Sequence, residues 1–389
     1  MTFSESAVLQ ALPKQFFASL VKHVSARIAA GHDVINLGQG NPDQPTPANI
    51  VQAAQQAVAK PENHKYSLFR GLPTFKQAAA EFYEREYGVQ LDPETEIAVL
   101  GGSKIGLVEL PLALMNPGET ILLPDPGYPD YLSGVTLARV KLALMTLTAD
   151  HDWLPDYAAI DPAVADAAKL LYLNYPNNPT TAVATPAFYD QTVTFAKAHH
   201  IGIVSDFAYG ALGFDGQRPV SFLQSSGAKE VGIELYTLSK TYNMAGWRLA
   251  FAAGNADMIE AINLIQDHLF VSVFPAIQEA GIEALLGDQT SVPKLIDLYQ
   301  QRRDAWFSAT EAIGWHGKKS PGTFYAWMPV PAGYTSESFT ELLLERADVA
   351  VAAGNGFGDH GEGYVRIGLL TSPQRLEEAA QRIGKLGLF

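Results

Sequence analysis

The stretch YTLSKTYNMAGWR, residues 236–248, joins a short strand pattern to a loop that carries Lys240 and, eight residues later, Arg248. A lysine in an apolar loop flanked by hydroxyl groups can lose its proton and attack a carbonyl carbon. Ser239 and Arg248 together can hold a phosphate group. A surface loop with two ordinary cations is the alternative, and this stretch alone does not decide between them.

Strand patterns and helical patterns alternate along the chain on both sides of this stretch. Amphipathic helices are predicted over residues 47–60 and 73–87. Seven short strands are predicted at residues 97–100, 120–123, 141–146, 170–174, 202–206, 235–238 and 249–253. Because parallel strands need helical crossovers, the alternation predicts an α/β fold with a mostly parallel seven-stranded sheet between helices.

The pattern changes after about residue 257. Long helices are followed by three strand patterns, TFYAWMPV, VAVAA and YVRIGLL, and by a closing helix. These segments predict a smaller α+β domain. We therefore expect an N-terminal arm with part of the small domain over residues 1–45, a large domain over residues 46–275 and a small C-terminal domain over residues 276–389.

Composition limits the classes of function that are open to the chain. Its 389 residues, 47% of them hydrophobic, suffice for two or three domains with a sizeable core. The net charge of −14 argues against a nucleic-acid partner, because a polyanion would be repelled. The absence of cysteine excludes disulfides, thiolate metal ligands and cysteine nucleophiles. Since there is no secretory signal pattern and no apolar run of about 18 residues, we expect a soluble cytoplasmic protein without membrane contact.

No metal site is predicted. The pair His199–His200 ends a helical pattern, and adjacent residues of a helix point in different directions. The loop GNGFG near the C-terminus resembles a dinucleotide-binding loop only superficially, since it lacks the spacing and the strand context of that motif.

Two further strand patterns end in polar residues. IGIVSDFAYGAL places Asp206 at the end of a strand, with Tyr209 three residues later. A carboxylate there can hold a cationic ring nitrogen and a phenol can bond to a ring oxygen, although an aspartate after a strand is also a common helix cap. LYLNYPNNPTT leads into Asn174 and Asn178, whose amides donate and accept hydrogen bonds. The same letters also describe a plain turn.

Two more segments have the chemistry of anion binding. In VLGGSKIGLVEL, Gly102, Ser103 and Lys104 lie between a strand and a helix. Backbone N–H groups at a helix start bind phosphate with help from the helix dipole, although a GGS turn is common. In YVRIGLL, Arg366 lies in an otherwise apolar strand and needs an anionic partner. A substrate carboxylate or an internal aspartate would satisfy it.

In this order and spacing, the segments resemble those of the class I/II aminotransferases, which are fold-type I pyridoxal-phosphate enzymes. The resemblance extends over essentially the whole chain. It implies pyridoxal 5′-phosphate as the cofactor and transamination between an amino acid and a 2-oxo acid, with ping-pong kinetics. It also implies a homodimer with a shared active site.

The resemblance assigns roles around the cofactor ring. Lys240 would form the Schiff base with the cofactor and then act as the base that moves the substrate's Cα proton. Asp206 would pair with the pyridinium nitrogen. Asn178 and Tyr209 would bond to the ring's phenolic oxygen. Tyr128 of PDPGYPDY would stack on the ring, whereas by itself it could be a core tyrosine beside a turn.

The resemblance also assigns the phosphate and carboxylate contacts. Backbone at three adjacent residues, two side chains and a tyrosine from the second subunit would hold the phosphate: Gly102, Ser103, Lys104, Ser239, Arg248 and Tyr66. Arg366 would bind the substrate α-carboxylate in a bidentate fork, assisted by Asn178 and by the backbone at Gly40 of LGQGNPD.

Two positions depart from the family pattern. Thr181 follows the Asn-Pro-Thr where the family usually has glycine, and Ala353–Gly354 stands where Pro-Gly often precedes the C-terminal loop. A threonine is unfavourable at positive φ, so we expect the turn at Thr181 to differ locally. Neither departure removes a cofactor contact.

The substrate is less directly indicated. Aspartate-specific members of the family use a second arginine, supplied after the lysine segment, for the distal carboxylate. Between Arg248 and Lys294 the only residue that can carry a positive charge is His268. We therefore expect an apolar or amide substrate side chain, unless a cation from elsewhere in the fold substitutes. Phe16 and Phe17 would either line an apolar pocket or pack within the small domain.

Long runs of the chain are similar to the transaminases of bacterial methionine salvage: LPKQFFASLV, HDVINLGQGNPDQPTP, LYLNYPNNPT and DFAYGALGFDG. This similarity implies glutamine as the donor and 4-methylthio-2-oxobutanoate, which becomes methionine, as the acceptor. Aminotransferases for alanine, aromatic or diaminopimelate-type substrates are the alternatives, as is a pyridoxal-phosphate β-lyase. All of these share the cofactor contacts, and an apolar pocket separates such side chains by only a few kcal/mol.

Overall fold

The computed structural model describes residues 3–13, 16–270 and 272–389, with the backbone alone at residues 16–19. The strands are β1 (Ile35–Asn36), β2 (Ile97–Leu100), β3 (Thr120–Asp125), β4 (Lys141–Thr146), β5 (Ala168–Leu173), β6 (Gly202–Asp206), β7 (Gly232–Thr237), β8 (Ala250–Gly254), β9 (Tyr325–Pro329), β10 (Val349–Ala350), β11 (Ala352–Ala353) and β12 (Tyr364–Gly368). The helices are α1 (Ala7–Gln10), α2 (Phe16–Ala29), α3 (Ala48–Val58), α4 (Pro73–Tyr87), α5 (Ser103–Leu114), α6 (Tyr131–Ala138), α7 (Pro162–Ala167), α8 (Pro186–His199), α9 (Ala228–Val231), α10 (Leu238–Thr241), α11 (Ala256–Leu269), α12 (Pro275–Leu286), α13 (Ser291–Ala312), α14 (Ser336–Ala347) and α15 (Pro373–Gly384). Among the residues so described, no helix has both the length and the apolar character needed to cross a membrane.

The seven-stranded sheet has the order β2-β8-β7-β6-β5-β3-β4. Its neighbours pair in parallel from β7 to β4, whereas β8 runs antiparallel to both β7 and β2. Parallel strands meet with their carboxyl ends at one edge, where open α/β sheets bind ligands. The prediction of an α/β fold with a mostly parallel seven-stranded sheet between helices is confirmed.

Both faces of this sheet are buried at its central strands, which explains why those strands are nearly continuously apolar. In β5, Leu171 and Leu173 belong to one hydrophobic cluster, whereas Leu170 and Tyr172 belong to the cluster on the opposite face. Side chains of a strand alternate between its two faces, so each face of β5 contributes to a separate core. Helices cover both cores and leave the strand ends free to carry polar groups.

A smaller antiparallel sheet of order β11-β12-β9 lies near the C-terminus, and β1 pairs in parallel with β10. Arg366 of β12 lies opposite Trp327 of β9. Helices α13, α14 and α15 contribute to the hydrophobic cluster at this sheet. The predicted smaller α+β unit is therefore present, whereas the division of the chain at residues 45 and 275 stays a prediction.

Local signals account for the elements that were predicted with correct bounds. Helix α4 begins with Pro73 in the first turn, where its missing N–H is harmless, and ends at Tyr87, after which Gly88 caps it with φ of +67°. The strand predicted at residues 235–238 instead begins at Gly232 and ends at Thr237. The first three residues of this strand were not predicted, because Glu234 interrupts the apolar pattern and a charged residue seldom lies inside a strand that is buried on both faces.

Glu234 is accommodated by four hydrogen-bond donors. Its carboxylate accepts bonds from the hydroxyl groups of Tyr83, Ser205 and Ser221 and from the backbone N–H of Phe222. The group is buried, and burial raises the pKa of Glu234 to about 7. A buried polar group needs such partners, and these four donors come from three separate parts of the chain.

The turn at Thr181 keeps the conformation that favours glycine. Thr181 has φ of +67° and is buried. Its backbone N–H donates to the carbonyl of Asn177 at 2.9 Å, and the N–H of Asn177 donates to the carbonyl of Ala182 at 2.8 Å. The expectation that threonine would change this turn is therefore wrong, because Thr181 has the left-handed φ that glycine would adopt. The hydrogen bonds around Thr181 hold the backbone in this conformation.

Candidate active site

A cavity of about 340 Å³ opens at the carboxyl edge of the seven-stranded sheet. Most of the predicted site residues line it: Gly40, Ser103, Lys104, Tyr128, Asn178, Asp206, Tyr209, Ser239, Lys240, Arg248 and Arg366. Asn174, which the sequence marked as a polar strand end, lines it as well. Residues from distant parts of the chain therefore converge on one concave site, as ligand binding requires.

Two predicted residues lie outside the lining of this cavity. Gly102 lies behind Arg248, and a Cβ atom added to Gly102 would overlap Nη2 of that arginine. Tyr66 is 90% exposed on the surface of the chain. Its expected role in the site of a second subunit therefore stays a prediction. Phe16 and Phe17 have side chains outside the described part of the structure.

Lys240 lies in the short helix α10, directly after β7. Its Nζ donates a 3.2 Å hydrogen bond to the carbonyl oxygen of Gly40. Burial, together with the positive charges of Arg366 and Arg248 and against the opposing effect of Asp206, lowers the pKa of Lys240 to about 8. A sizeable fraction of the amine is therefore neutral near physiological pH, as a nucleophile or base requires.

Asp206 ends β6 at the floor of the cavity. Its Oδ2 accepts a 2.8 Å hydrogen bond from the hydroxyl of Tyr131, and its backbone carbonyl accepts one of 2.7 Å from Asn174. Its Oδ1 is buried without a hydrogen-bond partner among the described residues. Burial raises the pKa of Asp206 to about 6. A protonated ring nitrogen would give Oδ1 the partner that it lacks.

Arg366 is buried and also lines the cavity. Its Nη1 donates to Oδ1 of Asn178 at 2.8 Å and its Nη2 donates to the carbonyl of Gly38 at 3.2 Å. The guanidinium carbon lies 4.2 Å from the ring centroid of Tyr325 and 4.7 Å from that of Phe357. This flat slot holds the guanidinium in one plane, which suits the bidentate binding of a carboxylate.

Tyrosines complete the wall between these charged groups. The hydroxyl of Tyr209 donates to the hydroxyl of Tyr325 at 3.3 Å. The hydroxyl of Tyr128 donates to Oδ2 of Asp130 at 2.6 Å, and Nζ of Lys104 lies 2.7 Å from the same oxygen. Lys104 therefore has its side chain paired with an acid, so a phosphate contact at this residue would come from the backbone.

The start of α5 and the loop that follows Lys240 contain the residues predicted to hold the phosphate. Ser103 is the first residue of α5, and Gly102 before it has φ of +104°, which glycine alone adopts readily. The hydroxyl of Ser239 accepts a 2.9 Å bond from Thr237. Arg248 donates to the carbonyl of Ala245 through Nη1 at 2.8 Å. Helix start, hydroxyl and guanidinium together make a cradle for a phosphate.

The cavity thus has the parts that pyridoxal phosphate needs. A buried carboxylate oxygen lacks a partner, a glycine leaves room beside an arginine, and a buried lysine has a lowered pKa. The residues present fit this cofactor.

Residues 32–383 match the sequence pattern of the family of class I and II aminotransferases. This chain is a class I/II aminotransferase. Members of the family use pyridoxal phosphate, so the predicted cofactor and the predicted enzyme class are both confirmed. The enzyme acts on amino acids and oxo acids, whereas the roles of the individual site residues stay predictions.

This aminotransferase is similar to several known proteins over all or nearly all of its length. It is 65% identical over 389 residues to the L-glutamine–4-(methylsulfanyl)-2-oxobutanoate aminotransferase of Bacillus subtilis, covering 100% of this chain and 98% of the relative. It is 45% identical over 382 residues to the LL-diaminopimelate aminotransferase of Moorella thermoacetica, covering 98% of each. The substrate-bound structure of BacF from Bacillus subtilis superposes with a TM-score of 0.95 at 49% identity, over 100% of this chain and 98% of that one.

Sequence reasoning missed several residues of the aminotransferase site. Tyr325 lies in the apolar strand pattern TFYAWMPV, which predicts a core position, and Tyr131 ends the PDPGYPDY stretch, in which only Tyr128 was assigned a role. Gly38 had a weak signal, since it belongs to the same LGQGNPD stretch as Gly40. In the structure, the carbonyl of Gly38 faces Arg366, and that of Gly40 faces Lys240.

Proposed function

We propose that this aminotransferase transfers the amino group of glutamine to 4-(methylsulfanyl)-2-oxobutanoate and so forms methionine. The observation that carries the proposal is the 65% identity, over the full chain, to the Bacillus subtilis enzyme named for that donor and acceptor.

The charges of the cavity support a neutral substrate side chain. Four cationic side chains line the described cavity: Lys104, Lys240, Arg248 and Arg366. Lys240 and Arg248 suit the cofactor, and Arg366 suits the α-carboxylate. Lys104 is paired with Asp130 at 2.7 Å. Within the described cavity lining, no unpaired cation therefore remains for a second carboxylate, which favours an amide or a thioether over aspartate.

Each side chain has a distinct task in this proposal. When bound, pyridoxal phosphate supplies the aldehyde that accepts the amino group and the ring that delocalises the electron pair of the substrate's Cα–H bond. Lys240 takes the Cα proton at Nζ, for which a pKa of about 8 is suitable. Asp206, whose buried Oδ1 has no hydrogen-bond partner among the described residues, would hold the protonated ring nitrogen. Arg366 fixes the α-carboxylate and thereby orients the Cα–H bond toward Lys240.

Visible absorbance of the holoenzyme tests the donor and the acceptor separately. Glutamine and methionine should bleach the cofactor band, aspartate should not, and 4-(methylsulfanyl)-2-oxobutanoate should restore it. A band that responds only to aspartate, alanine, an aromatic amino acid or LL-diaminopimelate would contradict the proposed substrate. Lys240→Ala should abolish turnover, and a fully active variant would contradict the catalytic assignment.

We also propose a homodimer in which Tyr66 reaches the phosphate of the partner's site. The exposure of Tyr66, together with exposed Leu68 and Phe69 beside it, supports this arrangement, since large apolar patches mark interfaces. Mixing subunits tests it. In a Lys240→Ala homodimer both sites lack the lysine, and in a Tyr66→Ala homodimer both sites lack the tyrosine. In a hybrid of the two, one site has Lys240 from one subunit and Tyr66 from the other. We expect activity to recover when the two variants are mixed. If no activity recovers, the shared site is contradicted.

We further infer the domain division at residues 45 and 275 and a cytoplasmic location. The seven-stranded sheet lies within residues 97–254 and the three-stranded sheet within residues 325–368, which supports two structural units. The absence of cysteine suits a reducing compartment. Limited proteolysis should cleave near the proposed boundaries, and cell fractionation should recover the activity with the cytosol.

A further inference from the structure

One stretch of irregular backbone contacts both the candidate catalytic lysine and the candidate carboxylate-binding arginine. We call residues 37–46 the crossing segment. The carbonyl of Gly40 accepts a 3.2 Å bond from Lys240, and the carbonyl of Gly38 accepts a 3.2 Å bond from Arg366. The crossing segment contains no helix or strand between residues 38 and 46. Its position over the site therefore depends on contacts made by its side chains and its ends.

The crossing segment is anchored at both ends. At its start, the carbonyl of Leu37 accepts a 2.6 Å bond from the N–H of Gly368, two residues after Arg366. At its end, the hydroxyl of Thr46 donates to the carbonyl of Asn243 at 2.8 Å and accepts from Nε1 of Trp247 at 3.0 Å. Between these anchors lie the two glycine carbonyls that face the site.

A buried arginine holds the middle of the crossing segment. Arg302 of α13 donates to both carboxylate oxygens of Asp43, at 2.8 and 2.7 Å. It also donates to the carbonyl of Leu369 at 3.3 Å. The hydroxyl of Tyr299 donates to Asp43 at 3.2 Å, and its ring centroid lies 5.4 Å from the guanidinium carbon of Arg302. Arg302 therefore connects the crossing segment to the end of the strand that carries Arg366.

We propose that Arg302 and Asp43 are positioning residues for substrate binding, because their ion pair holds the Gly38 and Gly40 carbonyls against Arg366 and Lys240. The proposal rests on the function proposed above. Neither residue lines the cavity, so both act through the crossing segment. The side chain of Asp43 is 23% exposed and that of Arg302 is 6% exposed, so solvent screens the pair only in part. A bidentate arginine–carboxylate pair also fixes direction, which a single contact does not.

The experiment compares Arg302→Met, Arg302→Lys and Asp43→Asn in the holoenzyme. Arg303→Met is the matched control, because Arg303 is the next residue of α13, is buried and makes a bidentate pair with Asp215 instead. The readouts are hydrogen exchange of residues 37–46, kcat, KM, and the Kd of 4-(methylsulfanyl)butanoate, a carboxylate without a reactive amino or oxo group.

Arg302→Met should raise the Kd of that carboxylate and the KM of both substrates about tenfold or more, since small displacements of substrate-positioning groups are costly. The rise in KM should exceed the fall in kcat. Exchange in residues 37–46 should become faster, and Arg302→Lys and Asp43→Asn should show smaller changes in the same direction. Arg303→Met should lower the melting temperature and leave exchange in the crossing segment and the Kd unchanged.

Two outcomes would overturn the proposal. One is a folded Arg302→Met enzyme with unchanged Kd and unchanged exchange in residues 37–46. The other is an equal effect of Arg303→Met on Kd, which would make the role of Arg302 purely structural. Lys240→Ala separates this proposal from the proposed function. If Lys240→Ala is inactive while Arg302→Met binds normally, only the positioning role fails; if Lys240→Ala is active, the proposed function fails.

Discussion

The hydroxyl of Tyr131 donates a 2.8 Å hydrogen bond to Oδ2 of Asp206 and leaves the other carboxylate oxygen, which is buried, without a partner in the described part of the chain. This hydrogen bond favours the ionised carboxylate and so lowers the pKa of Asp206, against the larger effect of burial, which raises it. Tyr131 thus keeps Asp206 ionised while Oδ1 stays available to a ring nitrogen.

Tyr131→Phe should raise the pKa of Asp206 above its present value of about 6. A smaller fraction of the carboxylate would be ionised at pH 7, so the ring nitrogen would be held less firmly. A hydrogen bond to a charged group contributes about 1.5–3 kcal/mol, so we expect kcat/KM to fall roughly tenfold or more. Steady-state kinetics and a cofactor titration measure the change.

Tyr172→Phe is the control for Tyr131→Phe. Tyr172 packs against Tyr131 with ring centroids 5.4 Å apart, but its hydroxyl donates to the carbonyl of Leu107. The Tyr172→Phe variant should be less stable than the original protein and should bind the cofactor with unchanged affinity. Equal loss of cofactor affinity in the two variants would contradict a specific role for Tyr131.

Gly102→Ala should weaken cofactor binding. The added Cβ would overlap Nη2 of Arg248, and φ of +104° at Gly102 is unfavourable for alanine. We expect the Kd for pyridoxal phosphate to rise about tenfold or more, since a displaced guanidinium loses charge-assisted hydrogen bonds to the phosphate. Gly246→Ala, in the same loop as Arg248, is the control because its Cβ would meet no atom within 4 Å. Unchanged affinity in Gly102→Ala would contradict the proposed phosphate site.

The apoenzyme should capture pyridoxal phosphate with a rate that depends on the protonation of Lys240. Only the neutral amine attacks the aldehyde, and the pKa of Lys240 is lowered to about 8, mainly by burial. The rate should therefore rise with pH and level off above about pH 8, as followed by absorbance in stopped flow. Nα-acetyl-lysine in solution should instead level off near its ordinary pKa of about 10.4. A protein profile that matches the free lysine would contradict the prediction.

Glu234 should make the apoprotein less stable as the pH rises. Its folded pKa of about 7 lies above the ordinary value of 4.5, because burial disfavours the charged form. The folded state therefore binds the proton more tightly than the unfolded state, so stability is present in full below about pH 4.5 and is lost as the pH rises through 7. The loss amounts to roughly 3 kcal/mol for this shift.

Urea unfolding of the apoprotein at pH 5 and pH 8 measures the contribution of Glu234. The free energy of unfolding should fall between the two pH values in the original protein and fall less in Glu234→Gln. Any loss from the poorer hydrogen bonding of the amide is the same at both pH values, so it cancels in the comparison. An identical pH dependence in the two proteins would show that Glu234 does not titrate in this range.

The main ionisable groups of the candidate site could be found from the sequence. Lys240, Asp206 and Arg366 each stand within or directly after an apolar strand pattern, where a charged residue is conspicuous and needs a reason. The bounds of β7 could not be found, because Glu234 interrupts the apolar pattern and its four donors lie elsewhere in the chain.

The class of fold and the charged residues at the sheet edge follow from the sequence, because apolar periodicity and polar residues at strand ends are local properties of the chain. How those charges are held depends on tertiary contacts. Tyr131 meets Asp206 across 75 residues, Tyr209 meets Tyr325 across 116, and Arg302 meets Asp43 across 259. No local pattern encodes such pairs, since they form only when the packed sheet and helices bring remote segments within hydrogen-bond distance.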